Sequence, residues 1–166
     1  MATDYGRLVA GVALMCGSRA AAEDAVQEAL ARAWERSNRG ELIRSLKAWV
    51  ARVAINLVRS GFRRARAERR ARERLGRQVA GAASEASPLG GHDEVADLRR
   101  ALAILPRRQR EATVLRYYLD MDVKEIADVL GVTEGTAKTT LFRARHALAD
   151  ALGEREVEEV NDVGRH

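Results

Sequence analysis

The stretch Asp122-Val123-Lys124-Glu125-Ile126-Ala127-Asp128-Val129-Leu130-Gly131-Val132-Thr133-Glu134-Gly135-Thr136-Ala137-Lys138 decides the fold. An acidic residue followed three positions later by Glu, ahead of an apolar-periodic run, is a capping box, and it predicts a short helix over Val123–Leu130. Ile126, Ala127 and Leu130 share the inner face of that helix. Gly131 can adopt the left-handed turn conformation that a side chain would penalise. Val132 plugs the corner, and Thr133 can cap a further helix over Glu134–Leu152. Ala127 and Ala137 are small where the two helices must cross closely. These residue types at these offsets spell a helix-turn-helix.

The second helix of such a unit lies in the major groove of DNA. Its outward face here carries Lys138, Thr139, Phe142, Arg143 and Arg145. Arg143 can donate two hydrogen bonds to guanine O6 and N7, and Lys138 can reach guanine or phosphate. Thr139 can bond a base edge or a phosphate. Phe142 suits either a thymine methyl or a core position beside Leu141. Arg145 suits a phosphate contact or an intramolecular pair.

Upstream, residues 97–105 are apolar-periodic through Leu98, Ala101, Leu102 and Leu105 and stop at Pro106. A helix over residues 108–119 turns Ala112, Leu115 and Leu119 inward. From Gly76 to Gly91 the sequence becomes small and polar with no period, which predicts a flexible tether. The expected organisation is a helical domain over 1–75, a linker over 76–94, a helix-turn-helix domain over 95–153 and a frayed tail over 154–166. That tail holds five carboxylates against Arg155 and Arg165.

In the first block the spacing predicts a helix over Ser18–Arg36, with Ala22, Ala25, Val26, Ala29, Leu30, Ala33 and Trp34 as its buried stripe. Asp24, Gln27, Glu28 and Glu35 gather on the opposite face, either as a solvated surface or as a dock for a basic partner. Residues 37–45, with Asn38, Arg39 and Gly40, break the pattern as a loop. A long helix follows over Leu46–Arg74, with Val50, Val53, Ala54 and Leu57 inward. Arg52, Asn56, Arg59, Arg63, Arg66 and Arg70 fall within about 40° of one line along it. From Arg59 to Arg77 nine arginines face two glutamates, a net of +7. Like charges one turn apart repel, and a polyphosphate partner removes that cost. Gly61 interrupts the run and allows a local kink.

Composition narrows the classes further. The chain has 166 residues, 46% of them hydrophobic and only 4% aromatic, with a net charge of +5. That suits small helical cores and not a β-sandwich or barrel. The single cysteine, Cys16, cannot form an internal disulfide or a cysteine zinc site and reads as a small buried hydrophobe. No apolar run approaches the roughly 20 residues of a membrane span, and no signal peptide opens the sequence, so a cytoplasmic protein without membrane insertion is expected. His92, His146 and His166 are scattered. No metal-ligand spacing, phosphate-binding glycine loop or nucleophile–base set is present, so neither an enzyme nor a cofactor is expected.

Taken together, the two blocks resemble the extracytoplasmic-function sigma factors, the smallest branch of the bacterial sigma-70 family. Gly17-Ser-Arg-Ala-Ala-Ala-Glu23-Asp24-Ala-Val-Gln27-Glu28-Ala-Leu-Ala-Arg-Ala-Trp34 and Lys47-Ala-Trp49-Val-Ala-Arg52-Val-Ala-Ile-Asn56-Leu57 resemble that family's sigma-2 region. Leu102-Ala-Ile-Leu105-Pro106-Arg-Arg-Gln109-Arg-Glu111 and the stretch from Val123 to Lys138 resemble sigma-4. The resemblance implies an all-α chain of two small helical domains joined by a flexible linker. It implies core RNA polymerase as partner, with Asp24, Gln27 and Glu28 on the β′ clamp helices and a further contact to the β subunit. It implies reading of the promoter −10 element by Asn38, Arg39, Arg52, Asn56, Arg59 and Arg63, and of the −35 element by Lys138, Thr139, Phe142, Arg143 and Arg145. It also implies an anti-sigma factor. The sequence departs from the family at Ser60-Gly61, where an acidic residue is common, and at Thr140, where a basic one is frequent. The competing class is a stand-alone helix-turn-helix regulator binding as a dimer. The acidic helix and the tether weigh against it, and no dimerisation heptad supports it.

Overall fold

A computed structural model describes residues 2–76 and 93–152. Seven α-helices and no strand occur among the described residues: α1 Ala2–Cys16, α2 Arg19–Asn38, α3 Leu46–Arg74, α4 Asp93–Ala103, α5 Arg107–Thr113, α6 Val123–Leu130 and α7 Glu134–Leu152. The tail over 154–166 and most of the tether lie outside the described residues. α4 begins at Asp93 and so takes in the last two residues expected in the tether. None of the described helices is long and apolar enough to cross a membrane.

The first three helices form one bundle. Ser18 and Ser45 each accept from the backbone N–H three residues on, at 3.3 Å, and start α2 and α3. The seam between these helices is lined by Ala22, Ala25, Val26, Ala29, Ala33, Ala51 and Ala54, all buried, so the backbones come close together. Trp34, expected in that core, is 70% exposed. The reason is angular: Ala29 and Ala33 lie within about 20° of Ala22 around the helix, whereas Trp34 lies about 120° away. Half-buried Trp49 packs against the core instead, with the Arg36 guanidinium 5.9 Å from its ring.

α2 runs two residues past its expected end. Ser37 and Asn38 are helical, and Gly40, at φ +77°, closes the helix by donating to the Ser37 carbonyl at 2.9 Å while Glu41 N–H reaches Arg36 at 3.2 Å. The loop therefore begins at Arg39. α3 covers its expected span and is helical without a break through Gly61. Nothing lies within 4 Å of a Cβ built at Gly61, which therefore makes no close contact with a neighbour.

The second bundle is built around the turn read first. Asp122 accepts from Glu125 N–H at 2.7 Å and the Glu125 carboxylate accepts from Asp122 N–H at 3.2 Å. Gly131 sits at φ 67°, ψ 44°. Ile126 and Ala137 are fully buried, while Leu98, expected inward, is 41% exposed. Asp122→Ala should lower stability by about 1 kcal/mol and Asp122→Asn should change it little, because Asn caps as well as Asp; urea unfolding checks both.

The helix expected over 108–119 starts one residue earlier and then widens. Val114–Tyr118 form a π turn, in which Leu119 N–H reaches the Val114 carbonyl at 3.0 Å. Asp120 then takes a left-handed conformation at φ 49°. Leu119 follows the π turn and seats directly on Gly11 of α1: a Cβ built there would lie 3.0–3.1 Å from the Leu119 side chain. The two blocks are thus packed against each other. Arg7 holds the Tyr118 carbonyl at 2.9 Å and Asp120 at 2.5 Å. Lys47 holds the Leu119 carbonyl at 2.9 Å, and Ser45 donates to Glu125 at 2.9 Å.

Candidate nucleic-acid interface

Three surfaces carry the predicted residues. On α2, Asp24, Gln27 and Glu28 are all exposed on one face. Glu28 pairs with Arg32 at 2.7 Å, and the Gln27 amide donates to the Tyr5 hydroxyl at 3.3 Å. Asp24 and Glu28 form the acidic rim of a groove of about 470 Å³ between α2 and α3, floored by Ala25, Leu57, Val58 and Phe62. Sequence reasoning missed Phe62. Its signal in the sequence is a large aromatic at the first turn of a run of arginines, and the structure leaves it 49% exposed.

On α3 and the loop before it the predicted residues divide. Arg52 and Asn56 are exposed, Asn38 ends α2 and Arg39 caps it, with its guanidinium 3.3 Å from Glu41. Arg52 lines a cleft of about 330 Å³ with Trp49 on one wall and Glu125 and Asp128 of α6 on the other. Arg63 is exposed and reaches Ser60 at 3.1 Å. Arg59 is different. Its guanidinium is forked onto the Glu111 carboxylate of α5, at 3.1 and 2.5 Å, with 16% and 4% of the two side chains exposed. Among the described residues the aligned basic stripe thus has one paired acid, Glu111, supplied by the second block, which no local pattern could show. Asn56 sits beside this pair, 3.4 Å from Arg59 Nη1.

On α7, Lys138, Thr139, Phe142, Arg143 and Arg145 are all exposed. Lys138, Arg143 and Arg145 make no ion pair among the described residues, so for Arg145 no intramolecular pair is seen there. Phe142, left open between core and surface, is 53% exposed and meets the His146 ring edge-on at 4.2 Å. Leu141 and Ala144 take the core positions. The Thr139 hydroxyl donates to the Gly135 carbonyl at 2.9 Å and keeps its lone pairs for an outside donor. This face is turned away from the first block, since α7 packs on α4, α5 and α6.

Behind Arg59, a cavity of about 180 Å³ opens at the seam between the blocks, walled by Arg63, Arg66, Arg107 and Phe62 and reaching Cys16. Burial pushes the Cys16 thiol above its ordinary value, outweighing its hydrogen bond with the Ser18 carbonyl and the charge of Arg99. The thiol is therefore a weak nucleophile. No group of three or more His, Cys, Asp or Glu residues that could hold a metal occurs among the described residues.

Comparison with known proteins agrees with this layout. Residues 1–68 match the family described as sigma-70 region 2, and residues 96–148 match sigma-70, region 4. The chain is 34% identical to the RNA polymerase sigma-E factor of Streptomyces coelicolor, over 82% of this chain and 75% of that protein. It is 36% identical to the ECF RNA polymerase sigma factor SigL of Mycobacterium tuberculosis, over 84% and 79%. Among solved structures it is similar to the sigma factor RpoE of Bartonella quintana in complex with the anti-sigma factor NepR. There the identity is 27%, the TM-score 0.69 and the coverage 93% of this chain and 94% of that one. It is also similar to CnrH in complex with the cytosolic domain of CnrY, at 26% identity and TM-score 0.62, over 92% and 84%. A stand-alone helix-turn-helix regulator is not favoured, because the region 2 match accounts for residues 1–68, most of the first block. With both regions present in order and relatives above 30% identity along most of its length, the chain belongs to the extracytoplasmic-function branch of the sigma-70 family and is an RNA polymerase sigma factor.

Proposed function

We propose that this sigma factor docks on core polymerase through the Asp24–Gln27–Glu28 face of α2 and reads two promoter elements with its two blocks, without catalysis of its own. The observation that carries the proposal is the separation of charge: one acidic face on α2, one cationic line on α3 and one exposed basic face on α7, within a single chain. The acidic face suits the β′ clamp helices. Arg52, Asn56, Arg59 and Arg63, with Asn38 and Arg39 at the loop, suit an unpaired −10 strand whose bases are flipped out and whose phosphates meet guanidinium groups. Lys138, Thr139, Phe142, Arg143 and Arg145 suit the −35 element as duplex. Two weak attachments on one chain reinforce each other, since each raises the local concentration of the other. The reading also includes a contact to the β subunit, a cytoplasmic location and control by an anti-sigma factor that keeps the two blocks from polymerase.

Sequencing the run-off transcripts made in vitro by core polymerase plus this chain tests the proposal and yields both promoter elements at once. No stimulation on any promoter would sink it. In the same assay Arg143→Ala should relax discrimination at one −35 position by about 1–3 kcal/mol. Arg63→Ala should weaken promoter binding on all sequences alike and lower the salt slope by about 1. Equal loss on every −35 variant for Arg143→Ala would remove Arg143 from base reading.

A further inference from the structure

α7 carries one exposed residue on its reading face that the −35 set leaves out. At 100° per residue, His146 lies about 40° from Phe142 and about 60° from Arg143, inside the arc bounded by Lys138 and Arg143. It stands one turn beyond Phe142, about 6 Å further along the helix axis. Side chains on a helix lean toward its N-terminus, so the His146 ring falls back onto Phe142. The two rings meet edge-on, with centroids 4.2 Å apart and planes at 63°. His146 is exposed, and its side chain makes no hydrogen bond or ion pair among the described residues. The ring contact is thus the specific interaction that this side chain makes.

The contact matters more for Phe142 than for His146. Phe142 is 53% exposed, and the core positions beside it are filled by Leu141 and Ala144. An exposed phenylalanine on a helix has two open χ1 wells, since the third drives the ring into the preceding turn. A ring already held in place meets a thymine C5-methyl group without first losing that freedom.

We propose that His146 is a positioning residue for promoter reading: its ring holds Phe142 in the orientation that meets a thymine methyl in the −35 element. This rests on the −35 reading given above. The requirement at position 146 is for an aromatic ring rather than for a charge or a hydrogen bond, because the contact is ring against ring.

The experiment uses holoenzyme, formed from core polymerase and the full chain, on a duplex promoter carrying the −35 element found by run-off sequencing. Each thymine of that element is replaced in turn by deoxyuridine, which removes the C5-methyl and leaves every hydrogen-bonding group in place. The wild-type chain should prefer thymine over deoxyuridine by roughly four-fold at one position, the worth of one buried methyl, and Phe142→Ala should lose that preference there. His146→Ala should lower the same preference to about two-fold, because half of the Phe142 population then sits in the other well. His146→Phe should retain the wild-type preference, and His146→Asn should behave as His146→Ala. These changes fall at an exposed position and leave the core of α7 intact.

A preference kept in full by His146→Ala overturns the proposal. So does a preference lost as fully in His146→Phe as in His146→Ala. Equal loss on thymine and deoxyuridine templates for His146→Ala, with a lower salt slope, overturns it in favour of a phosphate contact by His146. If no thymine shows a preference that depends on Phe142, the place of Phe142 in −35 reading falls and the proposal falls with it. Failure of the His146 variants alone leaves that reading standing.

Discussion

Glu111→Leu should lower the unfolding free energy by about 3 kcal/mol, the low end for breaking a buried ion pair because Arg59 retains some water. The change strands a guanidinium that is 16% exposed and has Asn56 as its other side-chain partner at 3.4 Å. The reverse change, Arg59→Met, should lower it by only about 1 kcal/mol. Glu111 then keeps Arg107 and Arg108 of its own helix at 3.8 and 3.9 Å, so its charge is still compensated. Combining Arg59→Met with Glu111→Leu should recover most of the loss, since an apolar pair of similar volume removes both desolvation penalties together. Urea unfolding of the three variants at fixed pH measures the cycle. A loss below about 1 kcal/mol for Glu111→Leu would show the pair to be hydrated and the blocks apart in solution.

The double change Asp24→Lys/Glu28→Lys should weaken binding to core polymerase at least 100-fold, about 2.7 kcal/mol, while leaving stability within about 0.5 kcal/mol. The effect on binding is large because reversal places like charges against a basic partner surface as well as removing an attraction. The effect on folding is small because both residues are at the surface. Glu28 loses only its exposed pair with Arg32, in which the two side chains are 51% and 50% exposed. Titration of labelled chain against core enzyme measures the first, and urea unfolding the second. Unchanged affinity would reduce this face to a solvated helix surface. Phe62, on the floor of the same groove, extends the test: Phe62→Ala should weaken docking without any change in charge.

Much of this could be read from local sequence. The span of α3, the capping box at Asp122, the left-handed turn at Gly131 and the outward set on α7 each depend on a few neighbouring residues, and local backbone chemistry fixes them. Apolar residue type points Trp34 and Leu98 inward, but burial depends on how wide a face the neighbouring helices cover. The alanine seam of α2 is too narrow to include Trp34. The π turn at Val114–Tyr118 has no signature in residue type, and neither does the seating of Leu119 over Gly11.

The helices, their caps, the helix-turn-helix and the three charged faces follow from residue period and from side chains within about one turn, and are legible without the fold. The tertiary structure alone decided which charges remain available. Arg59 and Glu111 are 52 residues apart and carry no mutual pattern, yet their pairing takes one arginine out of the cationic line on α3. Contacts at that separation depend on how two finished bundles meet, and a one-dimensional pattern of residue types does not encode that meeting.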